Sequence, residues 1–183
     1  MRNKILIAVL CLLPMMSWAD VADSAAGGFT IKITMTIEAA PPVVYDRLVH
    51  HVGDWWNAEH SYSGDAHNLS IEEKPMGCFC EKLPNNGGVR HAEVLYVQPG
   101  KMLVLSGALG PLQKFGATGT LTFVVAPLHR DTRLEVIYAV GGYLPDGLNT
   151  WAEPSNAMLT DQIMRLKSYV ETGNPVGVAS KPK

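Results

Sequence analysis

Two short stretches carry the residues with the most chemical potential. Cys78-Phe79-Cys80-Glu81 is one, and His91 follows ten residues after Glu81. Pro84-Asn85-Asn86-Gly87-Gly88 lies between them and predicts a β-hairpin, so the two stretches should pair across adjacent strands. Hairpin register then decides the chemistry, because a slip of one residue turns every side chain to the other face. With Glu81 on its face, His91 would form a buried acid–base couple. With Cys80 there, it would form half of a soft metal site. A hydrogen-bonded structural histidine satisfies the same residues. Cys78 and Cys80 share one face of a strand, and their Cα atoms would lie about 6.6 Å apart. That is near the upper limit for a disulfide, so a bridge would be strained and a candidate redox switch. A reactive thiol, a metal pair, and two small apolar residues packed within a sheet are the alternatives.

The other histidines are less directed. His50 and His51 are neighbours on an expected helix and point about 100° apart, so they do not readily share an ion. His60 and His67 belong to a polar stretch, Asn57 to Asn68, and could converge with Asp65. No HExxH spacing occurs, and neither a dedicated metal site nor a cofactor is expected. Nucleophile-elbow, phosphate-loop and dinucleotide fingerprints are all missing from the sequence. Trp55 and Trp56 precede the polar stretch, placed either to gate a cavity or to anchor small helices on a sheet.

The elements that would position these residues are mostly strands. Phe29, Ile31, Ile33, Met35 and Ile37 alternate with Thr30, Lys32, Thr34, Thr36 and Glu38, which describes a half-buried strand. Pro41-Pro42 then starts a short helix, and Trp55-Trp56 sit in a second. About six further strands follow, each hiding one face. From Ser155 to Val170, Leu159, Ile163, Leu166 and Val170 draw one apolar stripe along a helix, with Pro154 in its first turn and Gly173 to stop it. The expected class is α+β: a curved antiparallel sheet of six to seven strands around a long C-terminal helix.

Compartment and charge narrow the function. Arg2 and Lys4, an apolar run from Ile5 to Met16, and Ser17-Trp18-Ala19 describe a signal peptide cleaved after Ala19. The expected division is a leader at 1–19, a linker at 20–28, one domain at 29–172 and a loose tail at 173–183. The mature chain would be periplasmic or secreted and would not span a membrane. The formal net charge is −2 and becomes more acidic once Arg2 and Lys4 are removed, so nucleic acid is not an expected partner.

Several segments resemble a known superfamily. They are Ile37-Glu38-Ala39-Ala40-Pro41-Pro42-Val43-Val44-Tyr45, Gly53-Asp54-Trp55-Trp56, Lys74-Pro75-Met76-Gly77 running into Cys78, and Gly107-Ala108-Leu109-Gly110-Pro111-Leu112 with Gly119-Thr120-Leu121-Thr122-Phe123. Together with the element order, they resemble the START-like (SRPBCC) helix-grip proteins. The likeness is to secreted bacterial members near the activator-of-heat-shock-ATPase and polyketide-cyclase branches. The resemblance implies a cavity between sheet and long helix that holds a hydrophobic or aromatic small molecule or a lipid, without catalysis. Trp55, Trp56, Tyr62, Phe79, Glu81, His91, Leu109, Met158, Gln162 and Leu166 are the expected lining. The alternative is a cyclase-, dehydratase- or hydrolase-type enzyme using Glu81 and His91 in that cavity. An interaction protein, as the heat-shock branch implies, is a third class. Gln162 is the informative position, since it would give the helix wall a polar handle if it faced inward.

Overall fold

The structure is a computed structural model and describes residues 18–176. Eight strands make one antiparallel sheet: β1 (Trp18–Ala25), β2 (Gly28–Ile37), β3 (Leu69–Ile71), β4 (Cys78–Leu83), β5 (Gly87–Gln98), β6 (Met102–Ser106), β7 (Gly116–Leu128) and β8 (Asp131–Tyr143). Their spatial order is β1-β2-β8-β7-β6-β5-β4-β3, so β3 to β8 form a meander and only the passage from β2 to β3 leaves the sheet. That passage carries α1 (Pro41–His50) and α2 (Val52–Trp55), and α3 (Ala152–Thr172) completes the helical layer. This is the helix-grip arrangement.

Alternation builds the sheet. Phe29, Ile31, Ile33 and Met35 lie opposite Val140, Tyr138, Val136 and Leu134 of β8, and all eight are buried. The helices cover that face. Val44, Tyr45, Leu48 and Val49 anchor α1, while Leu159, Ile163 and Leu166 anchor α3. Polar bonds fix the angle of α3: Lys167 Nζ donates to Thr36 O at 2.8 Å and Arg165 Nε to Trp55 O at 3.0 Å. Gly173 ends the helix in the left-handed region, at φ 76°, with its N–H on Tyr169 O. The helix begins three residues before Ser155 because a 3₁₀ turn, Leu148–Trp151, runs directly into it.

Two expectations are corrected. Segment 20–28 is not a linker; most of it is β1, paired with β2 from Trp18↔Thr34 to Ala25↔Gly28. Its Ala, Asp and Ser residues have low strand propensity, and the unpaired edge of β2 recruits it. The sheet consequently has eight strands rather than six or seven. The leader's residues 1–17 lie outside the described residues, as do 177–183 of the expected tail, and Asp20, just past the expected cleavage point, already lies within β1.

Candidate functional site

The register question has a specific answer. Cys78 pairs with Glu93 and Phe79 with Ala92, but Cys80 pairs with Arg90. One residue of β5, His91, is therefore surplus, and the ladder bulges there. The bulge turns His91 and Ala92, consecutive in sequence, to the same buried face. Gly107, just past β6, makes room: a Cβ there would lie 2.6 Å from the His91 carbonyl oxygen. On β4, Phe79 and Glu81 point inward, while Cys78 and Cys80 point outward and are joined by a disulfide. Their Cα atoms are 5.3 Å apart, well within the separations a bridge spans, because β4 contracts between them. The expected stretch is absent.

Glu81 and His91 form a couple inside the sheet's concave face. His91 Nε2 lies 2.9 Å from Glu81 Oε2, with both side chains almost wholly excluded from solvent. Two backbone groups of the polar stretch after α2 also donate to this carboxylate: Tyr62 N–H at 3.0 Å, and Ser63 N–H. Burial alone would push the Glu81 carboxyl upward, but the hydrogen bonds from Ser63, Tyr62 and His91 outweigh it and hold the group below its ordinary value. An ionised carboxylate only accepts, so His91 Nε2 must donate. Nδ1 has no hydrogen-bond partner among the described residues. The imidazole is clasped between Phe79 and Tyr62, with ring centroids at 5.0 and 5.8 Å.

That ring closes the inner end of a cavity of about 390 Å³. Trp56, Phe79, Leu109, Leu112 and Met158 supply apolar walls, and Trp151, Pro154 and Ser155 bring in the start of α3. Glu59, His60 and Lys114 stand at the exposed rim. Two polar contacts shape the mouth. Tyr62 Oη donates to Gly110 O at 3.1 Å, tying the polar stretch to the turn after β6. Leu109 N–H donates to the buried Tyr138 hydroxyl at 2.8 Å. Burial pushes that phenol up to about 12, so it stays protonated.

The expected site residues divide accordingly. Trp56, Tyr62, Phe79, His91, Leu109 and Met158 line the cavity. Glu81 stands behind His91 rather than on the wall. Trp55 is fully buried, with its indole N–H on Arg47 O at 2.9 Å. Leu166 lies two helical turns past Met158, inside the core. Gln162 is fully buried but faces the chain after α2: its Oε1 accepts the Asn57 N–H at 2.8 Å, while its Nε2 has no partner among the described residues. It is a strut rather than the polar handle of the helix wall. Lys114, Trp151 and Ser155 were missed, because only tertiary folding brings the turn after β6 to the start of α3.

Three other histidines serve surface pairs. His50 lies between Asp46, at 3.1 Å, and Glu73, at 2.9 Å. His51 bonds Asp54 at 2.8 Å, and His67 bonds Asp65 at 3.1 Å. Among the described residues, no three His, Cys, Asp or Glu side chains converge as a metal site.

No protein-family model matches the chain, and no curated protein matches it. Solved structures share the fold. A conserved protein of unknown function from Enterococcus faecalis, EF2215, is 17% identical, with TM-score 0.59 over 92% of this chain and 84% of that one. DynU16 from the dynemicin biosynthetic locus is 17% identical, with TM-score 0.58 over 81% of this chain, which spans about half (49%) of its length. An uncharacterised Rhizobium leguminosarum protein is 15% identical, with TM-score 0.57 over 86% and 99% of the two chains. At these identities the likeness concerns the fold, which is compatible with ligand binding.

Proposed function

We propose that this chain is an exported binding module of the START-like superfamily, holding a compact hydrophobic molecule with an aromatic ring. One observation carries the reading: a cavity of about 390 Å³, walled mainly by aromatic and aliphatic side chains, with the almost wholly buried His91 imidazole among its lining residues. The volume is at the low end for ligand sites, roughly 300–1,000 Å³, and favours a small aromatic molecule over a two-chain lipid. Trp56 and Phe79, with centroids 5.4 Å apart and rings edge to face, suit a planar guest. With Nε2–H committed to Glu81, Nδ1 is the ring nitrogen left to meet a polar group on the ligand. The superfamily assignment rests on the quoted segments together with the fold. Export to the periplasm or the medium rests on the basic and apolar N-terminal residues. No helix among the described residues is long and apolar enough to cross a membrane.

Native mass spectrometry of the full chain against aromatic and lipid libraries tests this. A retained or added aromatic ligand is expected, and Met158→Trp, which fills the cavity, should abolish it without unfolding the protein. Failure of every library member to bind, together with indifference to Met158→Trp, overturns the reading.

The Glu81–His91 couple supports a second reading. Glu81 fixes the tautomer and would stabilise the imidazolium formed if Nδ1 removed a proton from a bound substrate. Such a base suits a cyclase- or dehydratase-type reaction. His91→Gln separates the two readings: an enzyme loses turnover while still binding, whereas a binder has no turnover to lose.

A further inference from the structure

Cys78 and Cys80 lie on the face of the sheet away from the cavity, and both are half-buried. Their bridge spans a sequence separation of 2. A cross-link stabilises a fold mainly by restricting the unfolded chain, and the gain grows with the loop it closes. This loop is too short for that gain to matter, so stapling the fold does not account for the bridge.

Its neighbours suit thiol chemistry. Cys80 stands between Ser70 of β3 and Arg90 of β5, and the exposed Lys82 follows on the same face. Cys78 stands opposite Glu93. Arg90 is bonded to Glu93 at 3.0 Å, which leaves Lys82 as the cation near Cys80 without an ion-pair partner among the described residues. A nearby cation favours the thiolate at Cys80.

The bridge also bears on the cavity. Residues two apart on an extended strand span about 6.6 Å, and here they span 5.3 Å. Their cross-strand partners Arg90 and Glu93 are three residues apart instead of two. The contracted stretch of β4 thus faces the lengthened stretch of β5, and the surplus residue is His91.

We propose that Cys78–Cys80 is a thiol–disulfide exchange site for a dithiol reductant, and that its redox state sets how firmly His91 is held against Glu81. A reductant thiolate attacks the Cys78 sulfur, the S–S bond breaks, and its electron pair leaves with Cys80 as the favoured thiolate. The reductant's second thiol loses its proton and attacks the reductant sulfur of the mixed disulfide, releasing Cys78 to take up a proton. Two electrons pass to the protein, and the reductant becomes a disulfide. With the bridge open, β4 extends and the bulge at His91 loosens. Neither step requires an occupied cavity.

The test equilibrates the full-length protein across ratios of reduced to oxidised dithiothreitol, with alkylation and peptide mass mapping to read Cys78 and Cys80 separately from Cys11. Nitrogen-detected imidazole NMR follows His91, identified by the signal lost in His91→Gln. The expected result is reversible two-electron reduction with circular dichroism unchanged and a shifted His91 signal. Lys82→Gln should slow reduction about threefold, the effect of one nearby unit charge in water. A double Cys78→Ser, Cys80→Ser variant should reproduce the reduced signal; if it does not fold, the titration of the unaltered protein decides. Free thiols at both Cys78 and Cys80 after oxidative folding, a bridge that opens only on unfolding, or an identical His91 signal in both forms overturns the proposal.

Discussion

Replacing Glu81 by glutamine tests how the site is held together. The carboxylate accepts from three donors, His91 Nε2–H, Tyr62 N–H and Ser63 N–H, and its own side chain is shut off from solvent. Glutamine keeps the volume but offers one oxygen, and its NH₂ group must face at least one of those donors. A hydrogen bond to a charged acceptor contributes about 1.5–3 kcal/mol, and a buried donor left unpaired costs about 1–3 kcal/mol. Both figures describe the same loss, so the substitution should cost about 2–3 kcal/mol. A domain of this size loses about 2–4 °C per kcal/mol, so the melting midpoint should fall by about 4–12 °C at pH 7. The pH profile supplies the sharper check. The folded Glu81 carboxyl titrates below its unfolded value of about 4.3, so its stabilisation is complete above that value. It is lost as pH falls through the folded value. The unaltered protein should thus lose stability faster than the Glu81→Gln variant between about pH 5 and pH 2, and the two melting curves should converge in acid. Thermal melts by circular dichroism measure this, and hydrogen exchange at the Tyr62 and Ser63 amides reports the loop directly. Parallel pH profiles, or a loss below about 1 kcal/mol at pH 7, would refute the reasoning.

Other perturbations separate core from cavity. Leu166→Ala removes a fully buried side chain away from the cavity; it should cost about 2–5 kcal/mol in urea denaturation and leave ligand affinity unchanged. Gln162→Leu orphans the Asn57 N–H but also removes the unpartnered Nε2, so it should stay within about 1 kcal/mol of the unaltered protein. Gln162→Ala adds an empty space and should be clearly worse in the same assay. Gly107→Ala drives a Cβ into the His91 carbonyl; the His91 imidazole signal should shift and the melting midpoint should fall. The Asp46 bond is the main cause raising the His50 pKa, burial opposes it, and the Glu73 bond adds to it. That stabilisation is complete below the unfolded value of about 6.5 and lost as pH rises through the folded one. At an exposed position it amounts to less than about 1 kcal/mol, so His50→Gln should lower stability slightly at pH 5.5 and not at pH 9.

The sequence by itself determined the sheet's faces, the helix stripe and the hairpin, because each is written in local periodicity or turn chemistry. Phe29 to Ile37 alternate without interruption, Leu159, Ile163 and Leu166 keep a helical period, and Asn85 and Asn86 accept the positive φ that the tight turn needs. Strand β1 was not legible, since Ala, Asp and Ser carry no pattern and only the open edge of β2 gives them a place. The site was half legible. Residue type nominated Glu81 and His91, and tertiary structure decided whether they meet. A one-residue bulge opposite the Cys78–Cys80 bridge turns His91 toward Glu81 rather than toward the sulfurs. The cavity wall was hidden for a related reason: Lys114, Trp151 and Ser155 share no local pattern and come together only when α3 closes over the sheet. Gln162 shows the limit most plainly. Periodicity put it beside Met158 on one flank of α3, but the Asn57 N–H, a hundred residues earlier in the chain, took its oxygen.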